Sequence, residues 1–269
     1  LFDDHHLLRL ALAYLPALLY AFFISRYDRT ITLRTTLAFF IGGFLAMEFL
    51  YTAQQAFPNL QDLLVGILFL ANLDPSIPDE VQRAYSMVFY MFVQVGLVEE
   101  TIKGAAFWVM WRIVRPTATL FATMFYCCMV SVCFAGAENL HYFIELADDN
   151  VILIRTFTAV VVHMVCGLFM GYFIAMSSLE ESTYGRIKRI AKGILCAAAF
   201  HGLYDWLTKG YYDITWMNPM NKEIITIPLY YPLIPIGVIT CFFLGRDLIA
   251  RRSTSDPTPK RSPPSPPEE

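Results

Sequence analysis

Glu99-Glu100-Thr101-Ile102-Lys103 sets two adjacent carboxylates and an ammonium within one helical turn. Residues three and four apart share a helix face, so Lys103 can reach either glutamate. Two neighbouring carboxylates in a medium of low polarity cannot both stay ionised cheaply. One cation therefore leaves a second carboxylate able to hold or pass a proton. An ion pair that only locked helix packing would need a single carboxylate.

Three more groups follow. Glu138-Asn139 precedes His141 and Tyr142; His163 stands alone in an apolar run; His201-Gly202-Leu203-Tyr204-Asp205 pairs an imidazole with a carboxylate four residues on. That spacing projects His201 and Asp205 from one face, where they can share a metal or Asp205 can orient the ring. Each group also has a purely structural reading, as interhelical glue or a buried packing hydrogen bond.

Taken together, two imidazoles, up to three carboxylates and an amide suit the activation of water. A carboxylate can serve as general base. Alternatively His163, His201 and Glu138 can hold zinc with one position open, lowering the pKa of bound water to about 7. Asn139 and the remaining histidine can stabilise an oxyanion.

The elements that must carry these residues are membrane helices. The 269 residues are 57% hydrophobic and only 16% charged, with a mean hydropathy of +0.49; a soluble domain carries about 25% charge. A net charge of −3 and this apolarity exclude a disordered chain and a nucleic-acid binder. Seven segments approach the ~20 apolar residues of a span, at about 7–25, 35–57, 84–111, 118–143, 153–176, 191–208 and 228–248. Residues 63–71 are too short and read as an interfacial or re-entrant helix. The expected fold is all-α, a polytopic membrane helix bundle. Residues 1–250 would form one protease-like domain with its core at 84–208, followed by a disordered proline-rich tail at 251–269. The six cysteines lie in apolar runs and read as small buried hydrophobes. No signal peptide is expected in Leu1–Leu10.

Fourteen Lys and Arg fall on one set of connections and five on the other, Arg9, Arg83, Arg155, Lys209 and Lys222. The positive-inside rule then sets the N-terminus outside and the C-terminus in the cytoplasm of a multi-pass cell-membrane protein. A charge near the bilayer centre costs from about 2.5 to more than 10 kcal/mol, so intramembrane charges face the bundle interior and mark function. With the spans running alternately in and out, the acids and imidazoles of four helices fall at similar depth and could share one wet pocket opening outward. Glu48 also lies within a span, where it can pair with Lys103 or line the cavity. Gln54 and Gln55 read as polar packing residues.

Known intramembrane protease motifs are a useful screen. The chain has no HExxH, no GxGD and no serine in a rhomboid context. The ordered set Glu99-Glu100-x-x-Lys103, Phe134-x-x-x-Glu138-Asn139-x-x-Tyr142, His163 and His201-Gly202-x-x-Asp205 resembles the PrsW family of bacterial intramembrane proteases. It is more distantly similar to the CAAX prenyl-protein endopeptidases. Glu138 and Asp205 depart from the His and Asn of that second pattern, which weighs against prenylated substrates. The resemblance implies a multi-pass hydrolase that cuts a membrane-embedded protein such as an anti-sigma factor. It also implies Glu99 as the water-activating base, Glu100 second, and either a metal or a glutamate alone as activator. A non-catalytic scaffold and a proton-coupled transporter are the alternatives; the lack of an inverted repeat weighs against the transporter.

Overall fold

A threonine cap starts the first fully described helix. The Thr32 side chain accepts from the Thr35 backbone N–H at 3.2 Å, satisfying one of the donors a helix start leaves open. Helix α1 runs Leu33–Ala56 and closes with the Phe57 N–H donating to Ala53 O. The computed structural model describes residues 11, 13–15, 18–20, 22–23, 25–57, 79–146, 149–209, 213–217, 224–228 and 230–255. The described residues between 11 and 23 are helical. The short segment 63–71 and the tail from 256 lie outside them, as does part of the expected span at 7–25.

Helix α2 (Asp79–Phe89) passes through a π-helical stretch, Tyr90–Leu97, directly into α3 (Val98–Val114). Such widened turns tend to occur at functional sites, and this one ends two residues before Glu99. α3 stops at Arg115, which takes a left-handed φ of 49° before Pro116. Helix α4 (Leu120–Leu146) is the centre of the bundle, with every residue from 122 to 137 buried. That stretch carries no charged side chain, as a segment enclosed by other helices requires.

The fifth expected span is two helices, α5 (Asp149–Phe157) and α6 (Ala159–Ser177). The bend sits at Thr158, whose hydroxyl donates to Ile154 O at 2.9 Å and accepts from the Tyr204 hydroxyl at 3.0 Å. Beyond it, Gly167 and Gly171 press α6 onto α4. A Cβ at Gly171 would lie 2.8 Å from Met124 Cα. Helix α7 (Thr183–Lys209) packs beside α6, and α8 (Leu233–Ser255) lies across α6 and α4. α8 carries the chain past residue 251, where the tail was expected to begin.

One element departs from the all-α expectation. Strands β1 (Asp213–Met217) and β2 (Ile224–Pro228) form an antiparallel ribbon in which Thr215 faces Thr226. Each is five residues and rich in β-branched side chains, too short to register in a search for spans.

Among the described residues, four helical stretches are long and apolar enough to cross a membrane: Leu33–Ala56, Leu120–Glu145, Leu153–Ser177 and Leu233–Arg251. α3 has only 17 residues and opens on charged side chains. α7 carries Arg186, Lys188, Arg189 and Lys192 in its first half. Both therefore fall short of the composition of an isolated span. Large apolar side chains such as Ile41, Phe49, Trp108, Phe242 and Phe243 face outward, a surface suited to lipid rather than water.

Candidate functional site

The site begins at a crossing of the π-helical stretch with α7. A Cβ on Gly96 would lie 2.6 Å from Ala198 O, and one on Gly202 would lie 2.7 Å from Phe92 Cα. Only glycine at both positions lets the backbones meet this closely. The crossing carries the first turn of α3, with Glu99 and Glu100, up to His201.

Glu100 Oε1 accepts from Lys103 Nζ at 2.8 Å and from His201 Nδ1 at 3.0 Å. Lys103 Nζ also donates to Glu99 Oε2 at 3.3 Å and to His163 Nδ1 at 2.7 Å. The same ammonium lies 4.3 Å from the centre of the Phe134 ring, an added attraction of cation to π face. The rings of His163 and His201 stand 4.6 Å apart, edge to face. Glu100 and Lys103 are wholly buried, whereas the Glu99 side chain is 12% exposed.

On its other nitrogen, His163 faces Glu138, with Nε2 3.2 Å from Oε2. The contact is close but poorly aligned, and Glu138 Oε2 makes no hydrogen bond. Arg155 grips the remaining oxygen of Glu138 at 2.9 Å, donates to Asn139 Oδ1 at 2.9 Å and stacks on Tyr142. A continuous run of polar contacts thus leads from Arg155 through Glu138, His163 and Lys103 to the glutamate pair and His201. Asp205 ends the run, 3.6 Å from His201 Nε2, too far for a hydrogen bond.

A cavity of about 240 Å³ reaches this run of contacts. Glu99, Glu138 and Asp205 line it, together with Gln54, Gln55, Tyr142 and Lys209. These residues come from the C-terminal parts of α1, α4 and α7 and the start of α3, so the cavity lies at that end of the bundle. Gln54 and Gln55 are cavity residues rather than packing residues.

Several sequence readings shift. The grouping of Glu99, Glu100, Lys103, Glu138, His163, His201 and Asp205 is present. Asn139, read as an oxyanion donor, is 1% exposed and turned to Arg155, with its Nδ2 buried and unpartnered. Glu48 pairs with His141 at 3.0 Å, not with Lys103, and His141 stacks on Tyr51. Asp205 does not hold His201; Glu100 does, from the opposite ring nitrogen. Arg155, counted among loop charges, belongs to the site. The signal was an arginine inside the apolar run Val151-Ile152-Leu153-Ile154 to Phe157.

The residues suit a metal. Glu99, His163 and His201 offer ligand atoms that all lie within 4.8 Å of one another, with Glu99 in the place expected for Glu138. Glu100 Oε2 and Glu138 Oε2 are buried without hydrogen-bond partners, so the site has unspent capacity for a positive charge. Two imidazoles and a carboxylate are a ligand set of zinc sites that keep an open position.

A family model described as PrsW family intramembrane metalloprotease matches residues 32–235. The Protease PrsW of Oceanobacillus iheyensis is 26% identical over 148 residues, which cover 54% of this chain and 67% of that protein. No solved structure matches the chain.

Proposed function

The chain belongs to the PrsW family of intramembrane metalloproteases, and from that premise we propose that it hydrolyses a peptide bond in a single-span membrane protein, such as an anti-sigma factor, using water activated at Glu99. As a member of that family it is a membrane-embedded hydrolase acting in a lipid environment. The finer assignment of roles rests on one observation: of the paired glutamates, only Glu99 lines the cavity, while Glu100 is fully enclosed.

Each residue then has a definable task. Glu99 takes the proton of the attacking water, which enters through the cavity. Glu100 accepts the His201 Nδ1–H and so fixes the tautomer and orientation of that ring. Lys103 supplies the positive charge that lets both carboxylates be buried. Glu138, held by Arg155, orients His163. Asp205 lines the cavity beside His201, and Asn139 keeps Arg155 in place. Glu99, His163 and His201 would hold the metal through one atom each, which leaves the second carboxylate oxygen of Glu99 for the proton; zinc is the ion this donor set favours. Such an ion would supply Lewis acidity, lowering the pKa of a water in the site to about 7 and polarising the scissile carbonyl.

The cavity end of the bundle, with Glu145 and Lys209, is proposed to face outward, with the C-terminus in the cytoplasm and α3 and α7 crossing the bilayer beside the four apolar spans. Their charged stretches are accommodated because they face the interior. The protease-like unit would span residues 1–250, with α8 carrying the chain on to Ser255 before the proline-rich tail.

Reconstitution with single-span substrates tests the assignment. Glu99→Gln is expected to lower cleavage by about 10²–10⁴-fold, the usual worth of a general base. Glu100→Gln and His201→Ala should also impair cleavage, and a chelator should abolish wild-type cleavage until zinc is restored. Full cleavage by Glu99→Gln would remove the assignment of the base, and cleavage indifferent to chelator would remove the metal.

A further inference from the structure

The donors suited to a metal are already engaged by a cation that belongs to the chain. Lys103 Nζ lies 2.8 Å from Glu100 Oε1, 3.3 Å from Glu99 Oε2 and 2.7 Å from His163 Nδ1. An ammonium has three N–H donors and no acceptor, and these contacts use all three. Glu99 and His163, two of the three residues grouped for a metal, are among its partners.

This arrangement fixes the state of His163. Because an ammonium only donates, Nδ1 must accept, and the proton of the neutral ring sits on Nε2, 3.2 Å from Glu138 Oε2. The ring then has no free lone pair. A metal on Nδ1 would have to displace the ammonium. A metal on Nε2 would send the ring proton to Nδ1, pointing at an ammonium 2.7 Å away. Either route requires Lys103 to withdraw, and the mutual repulsion of two buried cations at such range is weakly screened.

We propose that Lys103 is an internal counter-cation that competes with the divalent metal, so that the centre has a lysine-held state and a metal-held state, and metal enters only as Lys103 leaves His163. The inference rests on the reading of Glu99, His163 and His201 as the metal residues. Glu100 Oε1 and the Phe134 face remain within reach of the displaced ammonium. Removing the ammonium takes away the competitor and leaves two buried carboxylates without their cation, so the variant should both bind metal more tightly and depend on it for stability.

The test uses the full chain in lipid nanodiscs with cobalt(II) as the probe, followed by visible absorption and thermal unfolding. Lys103→Met is expected to bind cobalt about tenfold or more tightly than the wild type, the scale of one charge-assisted hydrogen bond. Cobalt should also raise the unfolding temperature of the variant more than that of the wild type. Equal or weaker binding by the variant, or no binding by either protein, overturns the proposal. If Lys103→Met does not fold, Glu100→Gln is compared with Glu100→Gln/Lys103→Met, which loses the ammonium and a carboxylate together; equal affinities overturn it there. Cleavage measured on the same preparations separates the two readings. Glu99-dependent cleavage without cobalt binding sinks the competition and keeps the protease. Tighter cobalt binding by the variant with no wild-type cleavage does the reverse.

Discussion

Arg155 belongs to the site through the residues it holds rather than by lining the cavity. Its guanidinium holds Glu138 Oε1 and Asn139 Oδ1 at 2.9 Å each, and Glu138 in turn faces His163. A carboxylate left buried without that guanidinium would reorient, and the His163 ring would lose its partner. Arg155→Gln is therefore expected to lower cleavage by about 10–100-fold, as losses of partners behind a site commonly do. The double variant Arg155→Gln/Glu138→Gln should cleave hardly worse than Glu138→Gln alone, because the two act through one contact. Additive losses, measured as kcat/KM per folded enzyme, would show that Arg155 does not work through Glu138.

At the scale of elements, the crossing of the π-helical stretch with α7 decides whether the glutamates meet the histidines. Gly96 and Gly202 are where those backbones touch. Gly202→Val adds carbons where Phe92 Cα lies 2.7 Å from a single Cβ, so the two elements must separate. Overpacking of this kind costs about 1–3 kcal/mol, and a 1 Å shift at a reacting centre can cost ~10²-fold in rate. The expected outcome is a folded protein with a modest fall in unfolding temperature and a much larger fall in kcat. A stability loss with kcat intact would mean that the crossing does not set the site. The bend at Thr158 is a second such device, since it turns α5 so that Arg155 lies against Glu138 on α4.

For the molecule as a whole, the question is which end of the bundle opens to which side. The cavity lies among the C-terminal parts of α1, α4 and α7, while Arg112, Arg115 and the basic start of α7 lie at the other end of their helices. From the charge count we propose that this basic end lies in the cytoplasm. In intact cells, a membrane-impermeant thiol reagent should label a cysteine introduced at Gln55 or Glu145 and spare one at Arg115 or Lys188. Five of the six native cysteines are buried, which keeps the background low. Labelling of the reverse pair would invert the topology and place the cavity mouth on the cytoplasmic side.

What the sequence determined by itself was the solvent and the cast. Apolarity this high requires lipid around the chain, and charged or imidazole groups set inside apolar helices are costly enough to mark a shared interior site. Glu99, Glu100, Lys103, Glu138, His163, His201 and Asp205 were legible on that ground alone. Tertiary structure decided how they pair, because partners such as Lys103 and His163, 60 positions apart, depend on how close two backbones come. That closeness is set by glycines at crossings and by a bent helix, neither of which has a hydropathy signal. Hence Glu100 rather than Asp205 holds His201, Glu48 belongs to His141, and an arginine counted as a loop charge stands behind Glu138.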